Sequence, residues 1–457
     1  MLNKIFSNVF FNALLFILGI AFLSLFLKNT IIFCAISIIL IYFFVKKINF
    51  KKFALFLFIY SFIIRVISVL LLKTPIESDF KLLYDASINL LNGDLGFNQI
   101  PYFKLWGYQI GQVVYQTLLL NICNSVIFLK IINCIISSGI VVLVYLISKE
   151  LFKEKTARFI SLLYSIFVFP ILFNSVLSNQ ILSTFLTYLA IYIMFAKRFE
   201  KWSLWIRYPL IGILLGLANI IRPEGIVILT TIIVFYLLLL HKDNIKKIIQ
   251  KVVCILFSYY ALITISSLIL IWTNISPIGL KNNDPLWKFV LGFNHETVGL
   301  YSTQDEYAVG NKEIELELIK ERTIGSIEKV PILFIKKTRN FWFISDIYWS
   351  NNYLENQNIN ILGINISGST INELLTNYNK YIYYFMYGCL FIGLYKTRKE
   401  KKNELSTFLT IFVCVYIGVY LLIEIMPRYA YLPQVALFIL SGFGIEYLLN
   451  LLEVKKK

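Results

Sequence analysis

Long apolar runs separated by short polar turns make up most of the chain. They fall at residues 5–27, 31–45, 53–72, 127–147, 159–177, 181–196, 208–221, 226–240, 252–272, 381–394, 405–422 and 432–449. A helix needs roughly 20 apolar residues to cross bilayer hydrocarbon, and most runs approach that length. The shorter ones need interfacial residues to complete them. The pattern predicts an all-α integral membrane protein with about twelve spanning helices. Two long segments interrupt it, 73–129 and 274–380. The first holds an apolar run at 110–122 that is too short to cross, which predicts an interfacial or re-entrant helix. The second has helical periodicity, notably over 311–329, and predicts a small helical cap. The expected organisation is a membrane domain over 1–273 with an external loop at 73–129, a loop domain over 274–380, and C-terminal membrane helices over 381–457.

Lysine and arginine give the runs a direction. Clusters occur at Lys46/Lys47/Lys51/Lys52, Lys149/Lys153/Lys155/Arg158, Lys197/Arg198/Lys201/Arg207, Lys242/Lys246/Lys247/Lys251, Lys396/Arg398/Lys399/Lys401/Lys402 and Lys455/Lys456/Lys457. Each follows an even-numbered run. One alternation with both termini in the cytoplasm therefore puts every cluster inside and both long segments outside a plasma membrane.

Composition agrees. Hydrophobic residues make up 58% of 457 positions and charged residues 15%, against roughly 25% charged in a soluble domain. The net charge of +17 reads as orientation signal and headgroup contact, not as a nucleic-acid surface. The six cysteines form no CxxC pair, so neither a disulfide framework nor a zinc site is suggested. No cleavable signal peptide is evident and no internal repeat is visible.

The polar residues that this topology places outside are the candidate chemistry. Glu77 and Asp79 lie just past the third run, followed by Tyr84 and Asp85 on an amphipathic stretch. A carboxylate there serves as a general base or metal ligand, or merely caps the following helix. Arg222, Arg428, Lys336, Lys337 and Arg339 are external cations that orientation does not explain, and a phosphate leaving group needs cations of this kind. Arg222 also lies near Glu224 and Arg428 near Glu424, so ion pairs are the alternative. Arg65 lies within the third run, where a charge requires a polar cavity or a partner. Asn294, His295 and Glu296 form a polar triplet in the second segment. With two histidines in the chain, and His241 on the cytoplasmic side of this topology, a multi-histidine metal site is impossible. Trp287, Trp342, Tyr348 and Trp349 read as sugar-stacking or interfacial aromatics.

The pattern SDFxxxYDAxxxLLNGD (Ser78–Asp94) resembles the first loop of GT-C-type glycosyltransferases. These use polyprenyl-phosphate-linked sugars and include protein O-mannosyltransferases and aminoarabinose transferases. The resemblance continues, in the family's order, through LKIINCIISSGIVVLVYLISKELF (129–152), GILLGLANIIRPEGIVIL (212–229), LGFNHETVGLYSTQDE (291–306) and MPRYAYLPQVALFIL (426–440). It implies a GT-C-like fold and transfer of a sugar from a polyprenyl-phosphate donor to an extracytoplasmic acceptor. Asp79 would be the catalytic base and Glu77 the supporting acid. Arg222, Arg428, Lys336, Lys337 and Arg339 would hold the donor phosphate, and Tyr84, Asp85, Asn294, His295, Glu296 and Tyr429 the substrate. No cofactor is expected. Many family members carry an acid where this chain has Ser178-Asn179-Gln180, which leaves a divalent metal without support. The rival reading is a polytopic transporter or lipid-linked sugar flippase. It predicts repeated halves and a site near the bilayer midplane.

Overall fold

The structure, a computed structural model, describes residues 30–47, 52–239, 244–343, 347–361, 363–398 and 403–454. The expected span at 5–27 lies outside the described residues, as do His241, parts of three basic clusters and the whole of the cluster Lys455/Lys456/Lys457. In chain order the main helices are α1 (Thr30–Lys47), α2 (Phe53–Leu71), α3 (Ser78–Leu91), α4 (Ile110–Ile122), α5 (Val126–Leu151), α6 (Glu154–Ser165), α7 (Gln180–Phe195) and α8 (Leu204–Ile221). They continue with α9 (Gly225–Leu239), α10 (Ile245–Trp272), α11 (Trp287–Gly292), α12 (Lys312–Thr323), α13 (Val330–Trp342), α14 (Gly368–Lys396), α15 (Glu404–Leu422) and α16 (Tyr431–Val454).

Among the described residues, seven helices are long and apolar enough to cross a membrane: α1, α2, α5, α8, α10, α15 and the stretch Pro427–Glu453 that contains α16. Two shorter apolar helices, α7 and α9, accompany them. The run at 159–177 is not one straight helix. It bends by 57° between α6 and the helical stretch Val168–Ser175. Pro170 just after the break has no N–H to donate, and Asn379 of α14 accepts from the Phe169 N–H instead (2.9 Å). The run at 381–394 is the far part of α14, which starts thirteen residues earlier in a polar stretch.

Close crossings fix the bundle. α8 lies on α10, and α14 on α16. A Cβ on Gly444 would meet the Cys389 carbonyl at 1.9 Å, and one on Gly212 would meet Ser258 Oγ at 2.0 Å. Both contacts need a residue without a side chain, as is common where helix backbones approach in a bilayer. The bundle's two ends are distinct. Lys130 of α5 donates to the Thr74 carbonyl (2.7 Å), while Lys149 of the same helix pairs with Glu154 (2.9 Å). Nineteen residues at about 1.5 Å each separate them by roughly 28 Å, near the thickness of bilayer hydrocarbon. Lys155–Glu453 and the Lys153 N–H to Glu446 join the second group. Lys197 and Lys396, from two further basic clusters, reach the same end, through the Lys197 N–H to Glu150 and Lys396 over Tyr447, and Thr74 of the first long segment lies at the other.

Arg65 is fully buried. Among the described residues it meets no carboxylate: Nε donates to Ser137 Oγ (2.8 Å) and Nη1 to the Ser61 carbonyl (3.2 Å).

Of the two long segments, the first contains α3 and α4 packed together, α4 spanning the range its apolar run predicted. The second holds α11–α13 and a feature the all-α reading did not anticipate. This is an antiparallel hairpin of β1 (Asn358–Ile361) and β2 (Ile364–Ser367), turning at Gly363 with φ +85°. The helix expected over 311–329 ends at Thr323, and a short turn at Ile327–Lys329 leads into α13.

A buried acid pair lies within the second segment. Asp284 and Glu315 are each 2% exposed, and the Gly310 N–H donates to both (3.1 and 3.3 Å). Burial and the neighbouring Asp284 push the Glu315 pKa up from 4.5 to about 7. The native state therefore binds a proton that the unfolded chain has released, and this pair's contribution falls as pH rises from about 4.5 to 7. Glu315→Gln should remove that slope and stabilise the loop segment at pH 8 by about 1–3 kcal/mol, with little effect at pH 4. Hydrogen exchange of residues 310–323 in both proteins across that range measures it. A wild-type profile that runs parallel to the variant's throughout would contradict it.

Candidate active site

The acidic motif after α2 ends up facing the late RY motif. Phe80, Leu83, Ala86 and Ser87 are buried and set α3 on the domain. Gly93 at φ +78° lies two residues past its end. At its start Ser78 adopts φ +53°, a left-handed conformation costing roughly 1–2 kcal/mol for an L-residue. Asp79 then falls in the first turn, where the helix dipole favours a carboxylate. Its side chain is 51% exposed, and its Oδ2 lies 3.9 Å from Nη2 of Arg428.

Arg428 is the unusual member of the site. It belongs to the turn Pro427–Ala430 leading into α16, held by Gln180 Nε2 donating to the Arg428 carbonyl (2.5 Å). The side chain is 7% exposed, with the guanidinium among the rings of Trp349 (4.5 Å), Phe80 (4.8 Å) and Tyr429 (5.5 Å). Aromatic faces attract the cation but leave its N–H groups unsatisfied. Nε and Nη1 are buried without a hydrogen-bond partner. Such donors are costly unless something accepts from them. The expected pairing with Glu424 does not form.

Glu424 instead holds Lys288, a residue the sequence reading missed. Nζ of Lys288 bonds Oε2 of Glu424, and the Tyr429 hydroxyl bonds the same oxygen at 3.4 Å. Burial works against the Lys288 charge, but Glu424 outweighs it, with Tyr429 and Tyr108 adding, and raises the ammonium well above its ordinary pKa. Burial, then the Asp79 charge, raise the Tyr102 pKa. Tyr102, Tyr108, Tyr429, Asp79, Arg428 and Lys288 thus share one electrostatic neighbourhood. The only signal for Lys288 was its place beside Trp287 in the external segment.

The other sequence candidates divide clearly. Arg222 forms the anticipated ion pair, with Nε on Glu224 Oε1 at 2.5 Å and Nη1 on Asn179 at 3.2 Å. Its guanidinium lies 4.9 Å from the Tyr429 ring centre, beside the site but committed to Glu224. Lys337 is buried, and its ammonium donates to the carbonyls of Gly292, Leu421 and Ile423 (2.7–2.8 Å). That uses all three N–H groups, so it staples α13 to the ends of α11 and α15. Lys336 and Arg339 are exposed on the other face of α13. Glu77 is exposed, and Asp85 pairs with Lys81 at the surface (2.6 Å). Tyr84 is partly buried beside Leu120 and Leu129.

Asn294 is a loop organiser. Its Oδ1 accepts from the Glu296 and Thr297 N–H groups, and its Nδ2 donates to Asp305 (2.8 Å). Asp305 takes a two-pronged contact from Arg322 (2.8 and 2.9 Å), while His295 bonds the Arg322 carbonyl (2.8 Å). Glu296 is exposed. Of the aromatics, Trp349 joins the site, whereas Trp287 and Trp342 are core residues. Among the described residues no group of three or more His, Cys, Asp or Glu side chains is placed to hold a metal.

The fold is GT-C-like. Over residues 115–272 the chain matches the family described as dolichyl-phosphate-mannose-protein mannosyltransferase. Its structure is similar to the archaeal oligosaccharyltransferase AglB from Archaeoglobus fulgidus, solved in complex with an inhibitory peptide and a dolichol-phosphate. The TM-score is 0.51 at 14% identity, covering 89% of this chain and 51% of that one. The Archaeoglobus fulgidus oligosaccharyltransferase in the apo form gives 0.52 at 14% identity, covering 89% and 52%. This chain therefore spans about half the length of those structures, and at such identity the likeness is one of fold. No curated protein matches the sequence.

Proposed function

We propose that the protein is a membrane glycosyltransferase that moves a sugar from a polyprenyl-phosphate carrier to a hydroxyl-bearing acceptor at the extracytoplasmic surface. One observation carries the reading: a half-exposed carboxylate, Asp79, faces a buried guanidinium with two vacant donors, Arg428. A base and an anion receptor 3.9 Å apart are what displacement of a phosphate from an anomeric carbon requires. Asp79 takes the acceptor hydroxyl proton as its oxygen bonds the anomeric carbon. The bond from that carbon to the phosphate oxygen breaks, and the pair of electrons leaves with the polyprenyl phosphate. Arg428, helped by Lys288, holds the charge that develops there. Each step is assigned to the chain's own side chains.

The membrane fits the donor. The isoprenoid stays in lipid between helices while its phosphosugar head reaches the end of the bundle, opposite the basic clusters. By the positive-inside rule that end is extracytoplasmic. The test is incubation of the purified full-length protein, reconstituted into sealed vesicles, with a panel of polyprenyl-phosphate sugars and impermeant acceptors supplied outside. Release of polyprenyl phosphate together with a glycosylated acceptor is expected for at least one donor. Movement of the donor between leaflets with no release would favour the flippase reading.

A further inference from the structure

The exposed face of α13 has the wrong chemistry for a water-facing cap. The buried residues Leu333, Lys337 and Phe341 recur every fourth position and seat the helix on the domain. The opposite face carries Ile332, Ile335, Lys336, Arg339 and, just past the helix end, Phe343, all exposed and all on one stripe. Ile332 and Ile335 are 57% and 71% exposed, and the turn before them exposes Ile324 and Ile327 as well. Within α13 itself no acid lies on that stripe, and in the turn before it the exposed Glu328 is offset by the exposed Lys329. Large apolar residues beside cations mark helices that lie in the membrane interface.

The packing places α13 at that depth. Lys337 grips the carbonyls of Leu421 and Ile423 where α15 ends, and Leu422 beside them is itself exposed. Further along, Phe341 stacks on Tyr420 (4.7 Å), Trp342 approaches Tyr416 (6.4 Å) and Phe343 lies 5.0 Å from Tyr387 of α14. The helix thus starts at the rim of the bundle and dips beside two of its long helices.

We propose that this face of α13 is a binding site for acidic phospholipid of the surrounding leaflet. Lys336 and Arg339 would meet the headgroup phosphates, with Ile332, Ile335 and Phe343 among the acyl chains. The site is separate from the Asp79–Arg428 pair and does not depend on glycosyl transfer.

The full-length protein in neutral detergent is titrated with phosphatidylglycerol, phosphatidylcholine and undecaprenyl phosphate, and bound lipid is counted by native mass spectrometry. A cation at an acidic surface contributes roughly fivefold. Phosphatidylglycerol should therefore bind at least fivefold better than phosphatidylcholine, and the double variant K336Q/R339Q should lose that preference. Both side chains are exposed, so the variant's melting temperature without added lipid should match the wild type and exclude misfolding. Equal binding of the two phospholipids to the wild type would overturn the proposal, as would a preference that survives in the variant. Loss of undecaprenyl phosphate alone would assign the face to donor entry and overturn it too.

Discussion

Replacing Asp79 with Asn should lower sugar transfer by about 10²–10⁴-fold, the usual contribution of a general base, while donor binding and folding persist. The amide keeps the shape of the carboxylate and removes its basicity. Its ion pair with Arg428 is long and half exposed, so little stability is lost with it. Initial rates at saturating donor, measured beside a melting curve, separate the two. Glu77→Gln and Asp85→Asn serve as controls. Glu77 is exposed outside the pair, and Asp85 is already bound to Lys81, so both should retain most activity. A loss smaller than tenfold in Asp79→Asn, with a large loss in either control, would move the base elsewhere in the loop.

Arg428→Gln should weaken binding of the polyprenyl-phosphate donor roughly ten- to a hundredfold. Charge-assisted hydrogen bonds contribute about 1.5–3 kcal/mol each in a partly dehydrated site. Because Nε and Nη1 have no partner among the described residues, substitution orphans few other groups. Donor affinity should fall much more than thermal stability. Arg222→Gln should show the reverse pattern. Glu224, only 9% exposed at its side chain, would keep its charge without its partner. Breaking a buried pair in this way typically costs about 3–5 kcal/mol. Its melting temperature should drop while donor affinity per folded molecule holds. Wild-type donor affinity in Arg428→Gln would remove the phosphate assignment and the main support for the proposed chemistry.

Two groups of candidate residues show why such roles resist reading from sequence. Lys336, Lys337 and Arg339 look alike along the chain, yet the helical turn sends Lys337 inward onto three carbonyls and the other two outward. Asn294, His295 and Glu296 looked like a polar cluster open to ligand. Their hydrogen bonds instead go to the Asp305–Arg322 network that shapes the loop. Lys337 is used up by carbonyls 45 to 86 positions away, and Asn294 and His295 by residues of their own loop segment, while Lys336, Arg339 and Glu296 stay exposed.

What the sequence determined by itself was the membrane class, most of the helical segments and the grouping of basic clusters at one end. These follow from local properties: apolar run length, the helical period and the cost of moving charge across lipid. The motif order added the GT-C-like fold, and the proximity of Arg222 to Glu224 made their pairing foreseeable. Tertiary structure alone decided that Arg428 faces Asp79, 349 positions earlier in the chain, and that Glu424 takes Lys288 instead. It also decided that the run at 159–177 breaks and that a hairpin precedes α14. Those outcomes depend on which helix ends meet across the bundle and on which buried donors and acceptors must be satisfied there. Neither is encoded in any local stretch of residues.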